Sequence, residues 1–229
     1  MTCKQAKRII ARAANFRVVR LAEVDARTGS DELKTLTNMI NSSEDMYPNI
    51  GRWLREKVVP GLQSSERAAW VAYEGDKAIA AAVLKLGKHA KFCHLRVNRD
   101  FQDLDLGQLF FIQMTLETRH LAKEIHFTLP ESLWESKTKF FESFGFVRAA
   151  KSLRQYRSGN KELVCSAPHA VVRMAALDRL PVLARKFNQG TDKVYCPDHT
   201  WITDRETPEE TKEREETWLV REETRRMLG

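Results

Sequence analysis

The sequence predicts an α/β domain of the α+β kind, and three observations carry that expectation. Segments of period-two alternation are interspersed with segments of helical spacing in the order β, α, α, β, β, β, α, β, α, β, β across Phe16–Ala167. Ala68–Tyr73 and Ala78–Leu86 are apolar runs joined by EGDK, which reads as a hairpin turning at Gly75–Asp76. A β-like run ending at Val97 passes through a polar loop into GQLFFIQMTLETRHL. Strand, turn and helix N-terminus in succession aim backbone N–H groups and a positive dipole end at an anion.

FRVVRLAEVD (Phe16–Asp25) alternates apolar and polar residues and reads as the first strand. Ser30 is placed to cap a helix whose first turn holds Asp31 and Glu32 and whose apolar face is Leu33, Leu36, Met39 and Ile40. Ile50, Trp53, Leu54 and Val58 continue at helical spacing until Pro60–Gly61, which the sequence predicts as a stop. After the hairpin, Lys91–Asn98 is a strand with Cys93, Leu95 and Val97 on one face and Phe92, His94 and Arg96 on the other. Glu124–Pro130 is a further strand. Ser132–Gly145 is a helix with Phe140, Phe141 and Phe144 inward and Gly145 as its C-terminal stop. Ser132 with Glu135 has the spacing of a capping box. The segment from Phe146 to Pro168 closes the unit as two strands turning at Ser158–Asn160.

Charge is unevenly spread. Residues 191–229 hold 7 Lys/Arg and 11 Asp/Glu, a net of −4, which leaves +11 on the rest of a chain whose total is +7. A basic body with an acidic tail suits an anionic partner such as nucleic acid or a phosphorylated ligand, or simply a solubilising surface. The longest apolar run, Ala78–Leu84, is too short to span a bilayer, so no membrane partner is expected. The first 15 residues form a basic lead-in without the apolar core of a secretory signal. Four scattered cysteines with no CxxC make a disulfide framework improbable and a reducing, cytoplasmic setting the default. Cys165, His169, Cys196 and His199 have irregular spacing and are read as chance neighbours, so no metal is expected.

The element order and two local motifs together resemble the Gcn5-related N-acetyltransferase (GNAT) family over residues 16–167. In that family a strand leads into a loop of the form V-x-P-x-x-[RQ]-x-x-G-x-[GA] that opens a helix. Here Val97, Gln102 and Gly107 stand on its positions. The later helix-to-strand corner that the family commonly writes fYeklGF is FFESFGF, Phe140–Phe146. The resemblance implies an acyl-CoA N-acyltransferase fold, a mixed central sheet with splayed strands and flanking helices, followed here by a C-terminal helical extension. It also implies an activity: transfer of an acyl group, in the first instance acetyl, from acyl-CoA to an amine. The diphosphate of acetyl-CoA, or of another acyl-CoA, would lie against Gln102, Asp105, Leu106, Gly107 and Gln108. Its pantetheine arm would run along Leu95 and Val97 between strands Lys91–Asn98 and Glu124–Pro130.

Several positions depart from the family pattern. Its loop proline is Arg99 and its first loop glycine is Asp105, a residue that tolerates the left-handed backbone. The resemblance places Trp134 where many members have Asn, and Phe141 where they have the Tyr that protonates the leaving thiolate. No carboxylate lies on Lys91–Asn98 to serve as base. Three residues are candidate substitutes. His94, on the cleft strand, has an imidazole suited to proton transfer near neutral pH, or is a hydrogen-bonded core residue. Glu131 follows the strand Glu124–Pro130. Tyr156, on a late strand, offers an acid, or is a half-buried strand tyrosine. His126 faces either the cleft or the helices.

Beyond the matched region, Leu177, Leu180, Leu183 and Ala184 give residues 168–190 helical spacing, with Pro181 as an end, a kink or a new first turn. Residues 191–229 form a charged loop and an arm whose helix starts at Thr207-Pro208-Glu209-Glu210. The arm packs through Trp218 on another surface, across a homodimer in one reading, or stays a frayed tail. Two functions follow. One is an acyl-CoA-dependent N-acyltransferase acting on an amine, for example a charged tRNA or a nucleic-acid-bound protein. The other is a module of the same fold that has lost the chemistry and binds nucleic acid or a protein partner.

Overall fold

The computed structural model describes residues 16–21, 23–44, 47–118, 122–151, 162–187, 193–195 and 201–203. Seven strands form one sheet in the order β1-β2-β3-β4-β5-β7-β6. They are β1 Phe16–Arg20, β2 Arg67–Glu74, β3 Lys77–Lys85, β4 His89–Val97, β5 Glu124–Pro130, β6 Val147–Lys151 and β7 Glu162–Pro168. All neighbours are antiparallel except β4 and β5, which are parallel. A short hairpin of β8 Lys193–Tyr195 and β9 Trp201–Thr203 lies apart in sequence.

The first strand is shorter than its alternation suggests. It ends at Arg20, and Glu23–Thr28 form helix α1. Helix α2, Asp31–Asn41, begins as expected, with the Leu33 N–H donating to Ser30 Oγ at 3.3 Å. Pro60–Gly61 does not stop the next helix, α3. That helix runs through Ile50–Trp53, a π-helical turn at Leu54–Val58, and Val59–Gln63. Proline has no N–H and its ring crowds the carbonyl four residues back. The π turn, closed by the Val59 N–H donating to Leu54 O, widens the helix just before Pro60 and accommodates that defect.

Two cores sandwich the sheet. Helices α1–α3 cover one face of β2 and β3 with Leu36, Ile40, Leu54 and Val58 against Ala69, Val71, Ala81 and Val83. Helices α4 (Leu106–Thr118), α5 (Glu131–Glu142) and α6 (His169–Phe187) build the other core. Helix α4 is buried on all sides, because α6 packs over it and contributes Val172, Ala176 and Leu183. Helix α6 continues through Pro181 without ending there. Helix α5 starts at Glu131 with Pro130 as its N-cap and no side-chain cap bond. The capping box expected at Ser132 and Glu135 is therefore absent: Ser132 is already inside the first turn and exposed. Phe111 is the hub of the second core, with ring centroids 5.0 Å from Phe140, 5.1 Å from Phe92 and 5.5 Å from Phe144.

Gly145 ends the α5 corner with φ +82°, and an added Cβ would overlap Val171 Cγ1 of α6. Both the left-handed backbone and the close approach require glycine there. We expect Gly145→Ala to lower the urea-unfolding free energy by about 2–4 kcal/mol, from strain plus overpacking. A change under about 0.5 kcal/mol would show that this corner yields freely.

Candidate functional site

The parallel ladder of β4 and β5 is short. His89 pairs with Glu124, Ala90 with Ile125 and Lys91 with His126, after which no pairing continues. From Phe92 and Phe127 onward the strands diverge and leave a crevice. On the other side of β4 the pairing with β3 resumes after a bulge: Val83 faces His94 while Leu84 faces Phe92, so Cys93 is the extra residue. The bulge overturns the simple alternation read from the sequence. Cys93 joins the core of α1–α3, and Phe92 joins Leu95 and Val97 in the core of α4–α6. His94 lies on the α1–α3 side, its ring 6.5 Å from Trp53, and the Arg96 guanidinium donates to Ser43 Oγ at 2.7 Å.

Backbone direction along β4 follows from one hydrogen bond. The Asn98 N–H donates to Ile79 O on β3 at 2.8 Å. Because successive amides of a strand point to opposite sides, the Val97 and Leu95 amide groups point away from β3, toward the crevice. Consistent with this, the Gln102 side chain reaches the outward Val97 carbonyl, Nε2 donating at 3.3 Å.

After Val97 the chain makes a 3₁₀ turn at Arg99–Leu104 and then α4. Asp105 joins the two with φ 60° and ψ 12°, the left-handed conformation expected where the GNAT loop has glycine. The Leu109 N–H donates to the Asp105 carbonyl at 2.9 Å. The amides of Leu106, Gly107 and Gln108 stand ahead of that bond, in the turn whose N–H groups an α-helix does not satisfy internally. Gly107 has no positive φ, and a Cβ added there would meet nothing within 4 Å. Among the described residues neither conformation nor packing calls for glycine at this point, and the space beside its Cα is open.

The expected proton-transfer residues have distinct placements. His94 is 9% exposed, and its imidazole is pushed down to about 4, first by burial and then by the Arg96 charge. It is therefore neutral near pH 7, with Nε2 buried and unpartnered. Glu131 accepts from Arg148 Nη2 at 2.6 Å as an ion pair at the start of α5. Tyr156 lies outside the described residues, as do Cys196 and His199. Among the described residues no group of His, Cys, Asp and Glu could hold a metal, and no helix is long and apolar enough to cross a membrane. Trp134 and Phe141 stack at 5.4 Å with planes 7° apart, both 7% exposed. The two family departures on α5 are thus one apolar pair filling the core.

Glu162, on β7, is a further buried ionisable residue. It is 4% exposed, its Oε2 has no hydrogen-bond partner, and burial raises its carboxyl above the ordinary range against the opposing charge of Lys91. Alternation against Leu163, Cys165 and Ala167 is the signal that would have found it: those three face the α4–α6 core, so Glu162 turns the other way.

No protein-family model and no curated protein matches the chain. Solved structures do. A Desulfovibrio desulfuricans protein assigned to the GNAT acetyltransferase family aligns at 15% identity and a TM-score of 0.54, over 67% of this chain and 99% of that one. A GNAT-family acetyltransferase from Streptococcus pneumoniae aligns at 11% and 0.52, over 67% and 98%. Arabidopsis thaliana Naa50, in complex with the bisubstrate analogue CoA-Ac-MVNAL, aligns at 14% and 0.51, again over 67% and 98%.

One measurement bears on His94 alone. Unfolded, its imidazole takes a proton near pH 6.5; folded, near 4. The unfolded chain therefore binds the proton first, and stability falls as pH drops through that window. Between pH 7 and 4 the native protein should lose roughly 3 kcal/mol more unfolding free energy than His94→Gln, which cannot titrate. Equal slopes for the two proteins would show that His94 is not held neutral by its surroundings. The strand order, the single short parallel ladder and these solved structures agree: the chain has the fold of the GNAT acetyltransferases.

Proposed function

We propose that the chain is an acyl-CoA-dependent N-acyltransferase with acetyl-CoA as its donor. The observation that carries the reading is the crevice between β4 and β5, edged by the outward amides of Leu95 and Val97 and ending at an uncrowded helix N-terminus. A pantetheine arm is a chain of amides and methylenes, and an unpaired strand edge offers it a ladder of hydrogen bonds. The diphosphate then meets the amides of Leu106, Gly107 and Gln108 and the positive end of α4. Gln102 and Asp105 shape the turn, and the exposed Arg99 at its start adds a positive charge. At the acyl end, one of the strand amides that point into the crevice stabilises the oxyanion that forms when the amine attacks. The thioester is activated enough that positioning and amide donors carry much of the chemistry.

The Trp134–Phe141 stack favours a second reading, in which the fold binds a partner without transferring an acyl group, because the usual acid position is filled by core. Calorimetry separates the two. Acetyl-CoA should bind the native protein, and Gly107→Glu should weaken binding by at least about 100-fold by placing a carboxylate in the diphosphate space. Absence of heat in the native protein would leave the binding module. The +11 excess outside residues 191–229 suits a polyanionic acceptor such as charged tRNA or a nucleic-acid-bound protein. For tRNA we expect affinity to fall at least about tenfold between roughly 50 and 200 mM salt. A flat salt response would exclude that class of acceptor.

A further inference from the structure

The cores of the two sheet faces differ in extent. The core under α1–α3 ends at β4 and includes no residue of β5, β6 or β7 among the described residues. On β5, Ile125, Phe127 and Leu129 face the α4–α6 core, so His126 and Thr128 face the other way. On β7 the same alternation turns Glu162, Val164 and Ser166 to that second face, and Lys91 lies between Ala90 and Phe92, both of the α4–α6 core. Lys91, His126 and Glu162, one ionisable side chain from each of three strands, thus share this face of the sheet beside the crevice.

Two of the three carry buried polar atoms without a hydrogen-bond partner: Glu162 Oε2 and His126 Nδ1. Such atoms are uncommon in folded proteins, and each costs about 1–3 kcal/mol when left unsatisfied. Lys91 is electrostatically coupled to both, opposing the raised carboxyl of Glu162 and lowering the imidazole of His126. Burial is the first cause of the His126 shift, and Glu124, His89 and Lys85 also act on it. Glu162 stands opposite Pro130, the last residue of β5 and well past the end of the β4–β5 pairing, while Lys91 and His126 are the last residues that pair.

We propose that this face receives the acyl acceptor as a primary amine, and that Glu162 is a catalytic residue that binds its ammonium and takes its proton. The proposal rests on the acyltransferase reading above. An ammonium is all donor and a carboxylate all acceptor, so the partner that Glu162 Oε2 lacks is of the kind the acceptor brings. The proton passes from the ammonium to the Glu162 carboxylate. The freed lone pair attacks the thioester carbonyl carbon, the C–S bond breaks, and the second nitrogen proton leaves with the sulfur as the free thiol. Glu162 then returns its proton to water. Lys91 assists by disfavouring a second cation nearby, which makes the bound amine easier to deprotonate.

The test uses the full chain, acetyl-CoA and n-butylamine, read as release of free thiol, with acetyl-CoA affinity measured separately by calorimetry. The native protein should accelerate thiol release in proportion to n-butylamine. Glu162→Gln should cut that rate by about 100-fold or more with acetyl-CoA affinity unchanged, and Glu162→Asp should retain an intermediate rate. Because Gln is isosteric, its thermal midpoint should match or exceed the native one. Glu162→Gln with the native rate would overturn the assignment. So would a native protein that binds acetyl-CoA yet gives no amine-dependent release. Failure to bind acetyl-CoA at all would instead overturn the acyltransferase reading on which the assignment stands.

Discussion

The architecture turns on where one hydrogen-bond ladder stops. β4 and β5 pair for three residues, and the next residue on each strand is a phenylalanine. Phe92 and Phe127 lie with planes 7° apart and centroids 6.5 Å from each other, and Phe111 of α4 meets both nearly edge-on, at 84° and 76°. The three rings fill the core side of the point where the strands part. Aromatic packing there substitutes for the lost backbone pairing, so the crevice stays open without leaving a void beneath it. The bulge at Cys93 adds to the effect by turning β4 away from its neighbour just past the branch.

Most of this was legible in the residues. The order of the seven strands, the hairpin at Gly75, the Ser30 cap and the stop at Gly145 all follow from local rules that tertiary contacts reinforced, whereas helix α1 lies within what alternation reads as the end of the first strand. The left-handed Asp105 was legible too, because loop spacing singled out that residue and Asp tolerates the conformation. What escaped was non-local. A bulge depends on the partner strand, so no alternation rule applied to β4 alone could have put Cys93 on the same side as His94. Pro60 was misread as a terminator because its cost is relieved by a π turn that spacing does not reveal. The N-cap of α5 moved to Pro130 because β5 runs straight into the helix and leaves Ser132 no capping position.

The polar chemistry shows the same division. His94 was visible as an imidazole on the right strand, but its neutrality comes from burial beside Arg96 and Trp53, which only packing supplies. Glu131 was visible as a carboxylate at a strand end, and Arg148, seventeen positions away, engages it. Alternation with Leu163, Cys165 and Ala167 assigns Glu162 a face but not a role. Its distinction is a buried oxygen with no donor, a property of the folded sheet. On α5, Trp134 and Phe141 stand at two separate family positions and are one stacked pair, brought together across a kink at Lys137.

Helix α6 shows that resemblance and stability draw different borders. The segment that resembles the GNAT pattern ends at Ala167, yet α4 inside it is buried over most of its surface and packs in one core with Val172, Ala176 and Leu183 from beyond that point. Cut at Ala167, the chain would expose the apolar side of α4 that Val172, Ala176 and Leu183 cover. A fragment that keeps this core intact therefore extends at least to Leu183, because the helix after Ala167 is a wall of the house.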